Sequence, residues 1–349
     1  MTQVANSQGN PAVSALDNTR IKNEQMLHLP KSVSIVEVGP RDGLQSLPRK
    51  IDTDFKVAMV DHLTEAGFPV IEVTSFAHPR TVPNLADAED VMARIQRRSG
   101  TIYRVLVPNA RGAERAVASR PDEILGLTTV SASYLKKNQN MTRDEAVAQA
   151  VQAFRIAKEN GCRFVMALGM ALWCPYEGRI PESKVMDLLQ EFVDEGMEQF
   201  YLAGSIGMED PAHVNTLFHM VQDRFPQVEI GFHVHNISGM GTANVLAALD
   251  GGATRIEGSI CGIGGGIATP RGMGSSGNLA SEDIVHMLNE MGVDTGMDLP
   301  GVLVAARKIA ALLRVESQSY ISRSGTRADI TELEGASQVA GPETKEQTT

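Results

Sequence analysis

Short apolar, β-branched runs alternate along the chain with longer segments whose apolar residues recur at helical spacing. Eight of the short runs predict β-strands, at 33–38, 70–75, 101–107, 123–130, 163–169, 199–204, 229–234 and 254–260. The segments of helical spacing predict helices at 54–66, 142–160, 182–195, 211–224, 242–250 and 281–291. An apolar segment at 299–314 predicts an additional helix after the eighth strand-helix unit.

Eight β-then-α units predict a (β/α)8 TIM barrel, with a doubly wound open sheet as the alternative. Two observations favour the barrel. No GxGxxG motif follows the first strand, and the polar residues of interest cluster at the C-terminal ends of strands, where barrel enzymes carry their chemistry. We predict a catalytic barrel at 31–297 and a C-terminal helical extension at 298–334. The polar, aperiodic segments 1–30 and 335–349 are predicted to be flexible tails.

Charge and cysteine content narrow the range of partners. The 349-residue chain carries 32 Lys and Arg against 42 Asp and Glu, a net charge of −10, which disfavours a nucleic-acid-binding surface. No apolar run reaches the ~18 residues of a membrane span, and no apolar N-terminal segment indicates secretion. The three cysteines form no CxxC pair and suit a reducing compartment. We therefore predict a cytoplasmic protein that acts on a small molecule.

Two strand ends carry candidate chemistry. Arg41 and Asp42 follow the first strand, where an aspartate can bind a divalent cation and a guanidinium can hold an oxyanion. Such a pair can also merely fasten a loop. In the seventh strand, His233 and His235 are two residues apart and point to the same face, so both can serve as metal ligands at the barrel mouth. The alternative is a pair of core histidines.

Two further strand ends add weaker candidates. Glu72, in the second strand, is either a buried catalytic carboxylate or a solvated residue. After the eighth strand, Gly264, Gly265 and Gly266 belong to a glycine-rich stretch, which suits a flexible active-site loop or a plain surface loop. Asn278, just beyond this stretch, offers a neutral oxygen ligand.

These residues are more informative together than separately. Asp42, His233, His235 and Asn278 would supply two nitrogen and two oxygen ligands on one rim and leave positions open for water and substrate. Mixed ligands of this kind suit Mg²⁺, Mn²⁺ or Zn²⁺. A metal ion that binds substrate oxygens beside Arg41 would stabilise an enolate. The sequence thus predicts chemistry that makes or breaks a carbon–carbon bond next to a carbonyl.

Five segments, in order, resemble the 3-hydroxy-3-methylglutaryl-CoA lyase family of metal-dependent lyase and aldolase barrels. They are VEVGPRDGLQ (36–45), TSFAHPRTVPNLADAE (74–89), CPYEGRI (174–180), HVH (233–235) and SGNLASEDIVHML (276–288). The resemblance spans roughly residues 33–297. It implies a TIM barrel, a homodimer, and cleavage of a 3-hydroxyacyl-CoA to a keto acid and an acyl-CoA enolate.

The resemblance also implies roles for individual residues. Asp42, His233, His235 and Asn278 would be the metal ligands, with Mg²⁺ or Mn²⁺ preferred. Arg41 would steady the enolate oxygen, and Glu72 would help to hold the metal-site water or the substrate hydroxyl. The predicted substrate-binding residues are Arg41, Gln45, Ser75 and Asn138.

Three departures from the family pattern point to a changed substrate. Gly204 stands where the family has an aspartate after the sixth strand, Asn236 replaces an aspartate after the second histidine, and Gly266 occupies the position of a catalytic cysteine. We therefore expect a bulkier or less polar acyl substrate, with His233 as the remaining proton shuttle. The alternatives are an aldolase or Claisen-condensing synthase acting on a 2-oxo acid, and a non-catalytic metal-binding remnant.

Overall fold

Eight parallel strands close into a barrel, which confirms the predicted (β/α)8 fold. The computed structural model of the protein describes residues 27–265 and 277–330, so the predicted tail 335–349 and most of the tail 1–30 lie outside it. The barrel strands are β1 (Ser34–Glu37), β2 (Val70–Ser75), β3 (Ile102–Val107), β4 (Glu123–Thr129), β5 (Arg163–Gly169), β8 (Gln199–Gly204), β9 (Glu229–Val234) and β10 (Arg255–Gly258). A small antiparallel pair, β6 (Trp173–Cys174) and β7 (Gly178–Arg179), follows β5. Around the barrel the strands run in the order β1, β10, β9, β8, β5, β4, β3, β2.

Helices follow the strands, and all seven predicted helices are present. The helices are α1 (Thr53–Glu65), α2 (Ala88–Arg94), α3 (Ala110–Ala118), α4 (Ala132–Tyr134), α5 (Arg143–Glu159), α6 (Glu182–Asp194), α7 (Pro211–Arg224), α8 (Gly241–Asp250), α9 (Ser281–Glu290), α10 (Leu299–Leu313) and α11 (Tyr320–Ser324). Thr142 caps α5 in a reciprocal capping box with Glu145, which satisfies backbone donors that the first turn leaves free. None of the helices in the described parts of the chain is both long and apolar enough to cross a membrane.

The apolar core has two parts. The larger part lies between the strands and the surrounding helices, and a smaller cluster fills the interior of the barrel. Members of the inner cluster alternate along their strands with outward-facing residues, as barrel closure requires. They are Val36, Val38, Val70, Leu106, Leu125, Val165, Ala167 and Tyr201. This packing fills part of the barrel interior with apolar side chains.

The C-terminal helices hold the last strand-helix unit in place. Helix α10 packs against α1 and α9, and α11 packs against α9. Asp283, in the first turn of α9, accepts hydrogen bonds from the Ser319 hydroxyl (2.8 Å) and from the backbone N–H of Tyr320 (2.9 Å). These contacts tie the chain beyond the barrel to the helix that follows the last barrel strand.

Candidate metal centre and active-site cavity

The first part of the site is a tight turn that follows β1. Residues Gly39–Gly43 form a single π-helical turn, in which the carbonyl of Val38 accepts from the N–H of Asp42 at 2.7 Å and from the N–H of Gly43 at 3.3 Å. π-Helical turns recur at functional sites because they redirect side chains over a short stretch of chain. This turn places the side chains of Arg41 and Asp42 on the wall of the cavity described below.

The second part is the pair of imidazoles on β9. His233 Nε2 and His235 Nε2 are 3.0 Å apart, and His235 Nε2 lies 3.4 Å from Asp42 Oδ2. All three side chains are buried, and one ligand atom of each lies within 4.8 Å of the other two. Adjacent ligands bound about 2.1 Å from one octahedral ion lie about 3 Å apart, so the spacing fits a metal site. The structure therefore brings together three of the four predicted ligands as one donor set.

Asn278, the fourth predicted ligand, lies beside this triad. Its backbone forms an antiparallel bridge with His235, and its Nδ2 donates to Asp42 Oδ2 at 2.7 Å. Its Oδ1 is buried and has no hydrogen-bond partner among the described residues. A buried amide oxygen without a partner is costly, and a cation would satisfy it. The donor set and this oxygen both fit a divalent ion.

The protonation states of Asp42 and His235 also favour cation binding. Burial raises the pKa of Asp42, but the Arg41 guanidinium and the two imidazoles outweigh it and hold that pKa well below its usual range. Burial lowers the pKa of His235, which leaves that imidazole neutral and able to ligate. An ionised carboxylate beside a neutral imidazole is the form in which these side chains bind metal ions.

Glu257 orients His233 from behind. Glu257 Oε2 lies 2.7 Å from His233 Nδ1, which leaves Nε2 of that ring free to face the metal position. Carboxylates commonly fix metal-binding histidines in this way. Burial raises the pKa of Glu257, but Arg104 and His233 outweigh it and lower that pKa to about 2. Sequence reasoning missed Glu257, although its position inside the eighth predicted strand, 254–260, was the available signal.

Arg104 joins the carboxylates of the site into one ion network. Its side chain is fully buried inside the barrel, where its Nη2 contacts both Glu257 and Glu72. The guanidinium also lies over the Tyr201 ring, 5.0 Å from the ring centroid. A lone arginine within the apolar run of the third strand was the available signal, because a charge is retained at such a position only when it is paired.

Glu72 pairs with arginines and does not line the cavity. Its carboxylate is fully buried and accepts from Arg41 Nε, and the Arg41 Nη1 group donates to Asp42 Oδ1 at 2.5 Å. Arg41 itself is 8% exposed and reaches the cavity wall. Of the two interpretations of Glu72, the structure thus favours the buried carboxylate over the solvated residue.

A cavity of about 300 Å³ opens above the triad and brings the predicted substrate-binding residues together. Arg41, Gln45, Ser75 and Asn138 all lie on its wall. Gln45 Nε2 donates to Asp42 Oδ1 at 2.5 Å, whereas Asn138 is exposed at the edge of the cavity. The rest of the wall is largely apolar, and comprises Val82, Leu106, Pro108, Leu125, Leu127, Ala167, Met170 and Ala203 among others.

The glycine-rich stretch is described only at its two ends. Gly266, the position of the family's cysteine, lies outside the described residues, and Gly264 and Gly265 precede the gap. Gly264 has a φ of +121°, and a Cβ there would lie 2.5 Å from Asn278 Nδ2. Glycine is therefore required where the backbone passes the metal centre. Flexibility of the loop stays a prediction.

Asn236 and Cys261, near the site, make contacts that support the fold. Asn236 Oδ1 accepts from the N–H of Gly241, at the start of α8, at 2.9 Å. An asparagine and an aspartate can both accept this bond, so this departure from the family keeps the contact at the start of α8. Cys261 is fully buried with its Sγ 3.4 Å from the Ala306 carbonyl, and burial raises the pKa of its thiol. It is therefore no substitute for the missing cysteine.

Replacing Glu257 by glutamine should weaken metal binding. The glutamine would keep the shape of the side chain but remove the charge that holds the His233 Nδ1 proton, and we expect about a 10- to 100-fold loss of Mn²⁺ affinity. Isothermal titration calorimetry on the metal-free protein measures it. Glu229→Gln is the control, because that carboxylate pairs with Arg255 and is partly exposed. Equal affinity in Glu257→Gln and the wild type would contradict the orienting role.

A family model and the similar known proteins indicate the same family for this chain. The model of the HMGL-like family matches residues 32–309. The chain is 36% identical over 304 residues to the mitochondrial hydroxymethylglutaryl-CoA lyase of Mus musculus, covering 87% of this chain and 93% of that protein. It is 35% identical over 322 residues to the cytoplasmic 3-hydroxy-3-methylglutaryl-CoA lyase of Rattus norvegicus, covering 92% of this chain and 93% of that protein.

The fold agrees with the same relatives. A solved HMG-CoA lyase from Acinetobacter baumannii, in complex with coenzyme A and 3-methylmalate, superposes with a TM-score of 0.81 at 33% identity. The match covers 86% of this chain and 97% of that one. Sequence and structure therefore point to one family over nearly the whole of the described barrel.

Proposed function

The chain belongs to the HMGL-like family, and from that premise we propose that it is a divalent-metal-dependent carbon–carbon lyase acting on a 3-hydroxyacyl-CoA of the 3-hydroxy-3-methylglutaryl-CoA type. The observation that carries the proposal is the buried triad of Asp42, His233 and His235 with Arg41 beside it on the cavity wall. A structural ion pair with two core histidines would not require these groups to converge on one point at an open cavity.

The proposed reaction breaks the bond between C2 and C3 of the substrate. A base removes the proton of the C3 hydroxyl, C3 becomes a carbonyl, and the electron pair of the broken bond remains on C2 as a thioester enolate. A proton then adds to C2 and gives the acyl-CoA. With 3-hydroxy-3-methylglutaryl-CoA, the products are a keto acid and acetyl-CoA.

Asp42, His233 and His235 would hold the metal ion, with Asn278 as the fourth ligand. When bound, a divalent ion supplies a Lewis acid that polarises substrate oxygens. We propose Mg²⁺ or Mn²⁺ because oxygen ligands make up half of the set, with Zn²⁺ as the alternative. His233 would bind through Nε2, which confines any proton transfer at this ring to Nδ1 and Glu257.

Arg41 would steady the enolate oxygen. Among the described residues it is the only arginine on the cavity wall, and its Nε contact with Glu72 and its Nη1 bond to Asp42 fix its orientation. A fixed donor is effective against developing charge because it needs no reorganisation during the reaction. We assign Glu72 the role of positioning Arg41 and Arg104, since its carboxylate is fully buried.

The apolar part of the cavity supports a substrate with a larger apolar group on C3. Leu125, Leu127 and Ala167 are among the apolar residues of the cavity wall. Each methylene buried there would contribute about 0.8 kcal/mol to binding. A bulkier alkyl substituent would fill this space better than the methyl group of 3-hydroxy-3-methylglutaryl-CoA.

The activity test compares two substrates. We expect Mn²⁺-dependent release of acetyl-CoA from 3-hydroxy-3-methylglutaryl-CoA and a kcat/KM at least as high for the 3-butyl homologue. Ala167→Leu, which fills the apolar end of the cavity, should lower kcat/KM for the homologue more than for the methyl compound. Chromatographic detection of acetyl-CoA, with and without EDTA, measures both.

Other outcomes would favour the alternatives. Cleavage of a 2-oxo acid without acetyl-CoA release would indicate an aldolase, and condensation of acetyl-CoA with a 2-oxo acid would indicate a synthase. Metal binding without turnover of any of these compounds would indicate a remnant. A preference for the methyl substrate would overturn only the proposal of a larger C3 group.

We also propose a homodimer in the cytoplasm. The cysteine content supports a reducing compartment, and the relatives named above include both a cytoplasmic and a mitochondrial lyase. Sedimentation of the purified protein tests the oligomeric state, and fractionation of the source cells tests the location.

A further inference from the structure

Glu209 is a buried carboxylate that the contacts described so far do not use. It lies in the loop between β8 and α7 and is 2% exposed. Neither of its side-chain oxygens has a hydrogen-bond partner among the described residues. Burial raises its pKa to about 7, although nearby backbone N–H groups and the His233 imidazole offset part of this effect. An acid kept in such surroundings calls for an explanation.

The carboxylate fills the space where a side chain on Gly204 would lie. A Cβ added to Gly204 would have Glu209 Cδ 2.5 Å away and would overlap one of its oxygens. The φ angle of Gly204 is not in the positive range, so the backbone does not require glycine there. Glycine is needed at 204 because the Glu209 carboxylate occupies the position of its side chain.

This position lies on the strand next to the one that carries the proposed metal ligands. In the register of β8 and β9, Gly204 is opposite Val234, the residue between His233 and His235. The loop is held at the same point, because Asn244 Nδ2 donates to the backbone carbonyl of Glu209 at 3.0 Å. Glu209 is therefore fixed at the layer from which the two imidazoles project.

We propose that Glu209 is a positioning residue of the metal centre, supplying from the β8–α7 loop the acid that position 204 lacks. In its ionised form, this carboxylate would favour a dication bound at the level of His233 and His235, because opposite charges attract across a buried, low-dielectric region. The inference rests on the proposed metal-dependent function. On this proposal, Glu209 supplies the acid that the family carries at position 204, five positions further along the chain.

The first test is Glu209→Gln in the full-length protein. Glutamine keeps the volume and removes the charge, so the unfolding temperature should stay at or above that of the wild type. Mn²⁺ affinity, measured by calorimetry, should fall about fivefold or more, because removing a nearby negative charge in a buried region weakens the attraction for a dication. Asp210→Asn is the matched control, since it removes the neighbouring half-exposed charge and keeps the cap of α7. It should change affinity by less than about twofold.

The second test exchanges the two side chains. Gly204→Asp alone should lower the unfolding temperature because two carboxyl groups would compete for one space. Glu209→Gly alone should weaken Mn²⁺ binding. The double variant Gly204→Asp/Glu209→Gly should recover both properties, a coupling that additive effects at separate sites would not produce.

The outcomes separate this inference from the proposed function. A wild-type protein that binds no Mn²⁺ and cleaves no hydroxyacyl-CoA would overturn the proposed function itself. Wild-type binding with unchanged affinity in Glu209→Gln would overturn the role of Glu209 alone. A double variant no better than either single variant would also overturn it.

Discussion

His235→Ala is expected to abolish both metal binding and turnover. His235 Nε2 lies between the other two members of the triad, 3.0 Å from His233 Nε2 and 3.4 Å from Asp42 Oδ2. Without it, two members of the triad remain, and Asp42 would pair more fully with Arg41. Because the loss of a supporting partner alone costs 10- to 100-fold in metal affinity, the loss of a ligand should exceed about 100-fold.

The measurement pairs Mn²⁺ calorimetry with metal analysis of the purified variant. His219→Ala serves as the control because its side chain is half exposed on α7, where it pairs with Asp250. The control should bind metal and release acetyl-CoA at wild-type levels. Full metal occupancy in His235→Ala would remove this residue from the centre and leave the triad without support.

The barrel could be predicted from local patterns because its strands are buried on both faces. Such strands form short apolar runs, and helices with one apolar face separate them. The helices that the pattern missed show its limit. Helix α3 buries Ala110, Gly112, Ala113 and Ala116, a face of small residues with no strong apolar signal, and α2 is only seven residues long.

The convergence of the proposed ligands could be predicted for a different reason. Asp42 lies in the turn that follows the first strand, and His233 and His235 share one strand face, so each signal lies within a few residues of sequence. Their convergence then follows from barrel closure, because the C-terminal ends of all strands meet at one rim. Asp42, His233 and His235 therefore meet because of the barrel topology as well as the local motifs.

The contacts of the buried charged residues around the site could not be predicted because they join residues that are distant in sequence. Arg104 meets Glu257 across 153 positions, and Glu209 reaches the space beside Gly204 only because the loop folds back. A sequence shows the missing side chain at 204 but not the one that fills its place. Arg104 also links His233 and Arg41 indirectly. It forms ion pairs with Glu257, which contacts His233, and with Glu72, which contacts Arg41.

A second variant, Arg41→Met, should change turnover and metal affinity differently. Arg41→Met is expected to lower turnover at least ~100-fold, which corresponds to about 2.7 kcal/mol of transition-state stabilisation and is the scale for losing one oxyanion donor. Mn²⁺ affinity should be kept or become tighter, because a positive charge 2.5 Å from Asp42 Oδ1 is removed. A fall in turnover with metal binding intact separates Arg41 from the ligands.

Two further variants complete the test. Arg41→Lys keeps the charge but loses the fork that contacts Glu72 and Asp42 together, so its turnover should lie between those of the wild type and Arg41→Met. Arg94→Met is the control, since its ion pair with Asp54 is exposed and worth little. Because Arg41→Met leaves Glu72 with Arg104 as its remaining partner, the unfolding temperature should fall as well. Near-normal turnover in Arg41→Met would exclude the guanidinium from enolate stabilisation, whatever happens to stability.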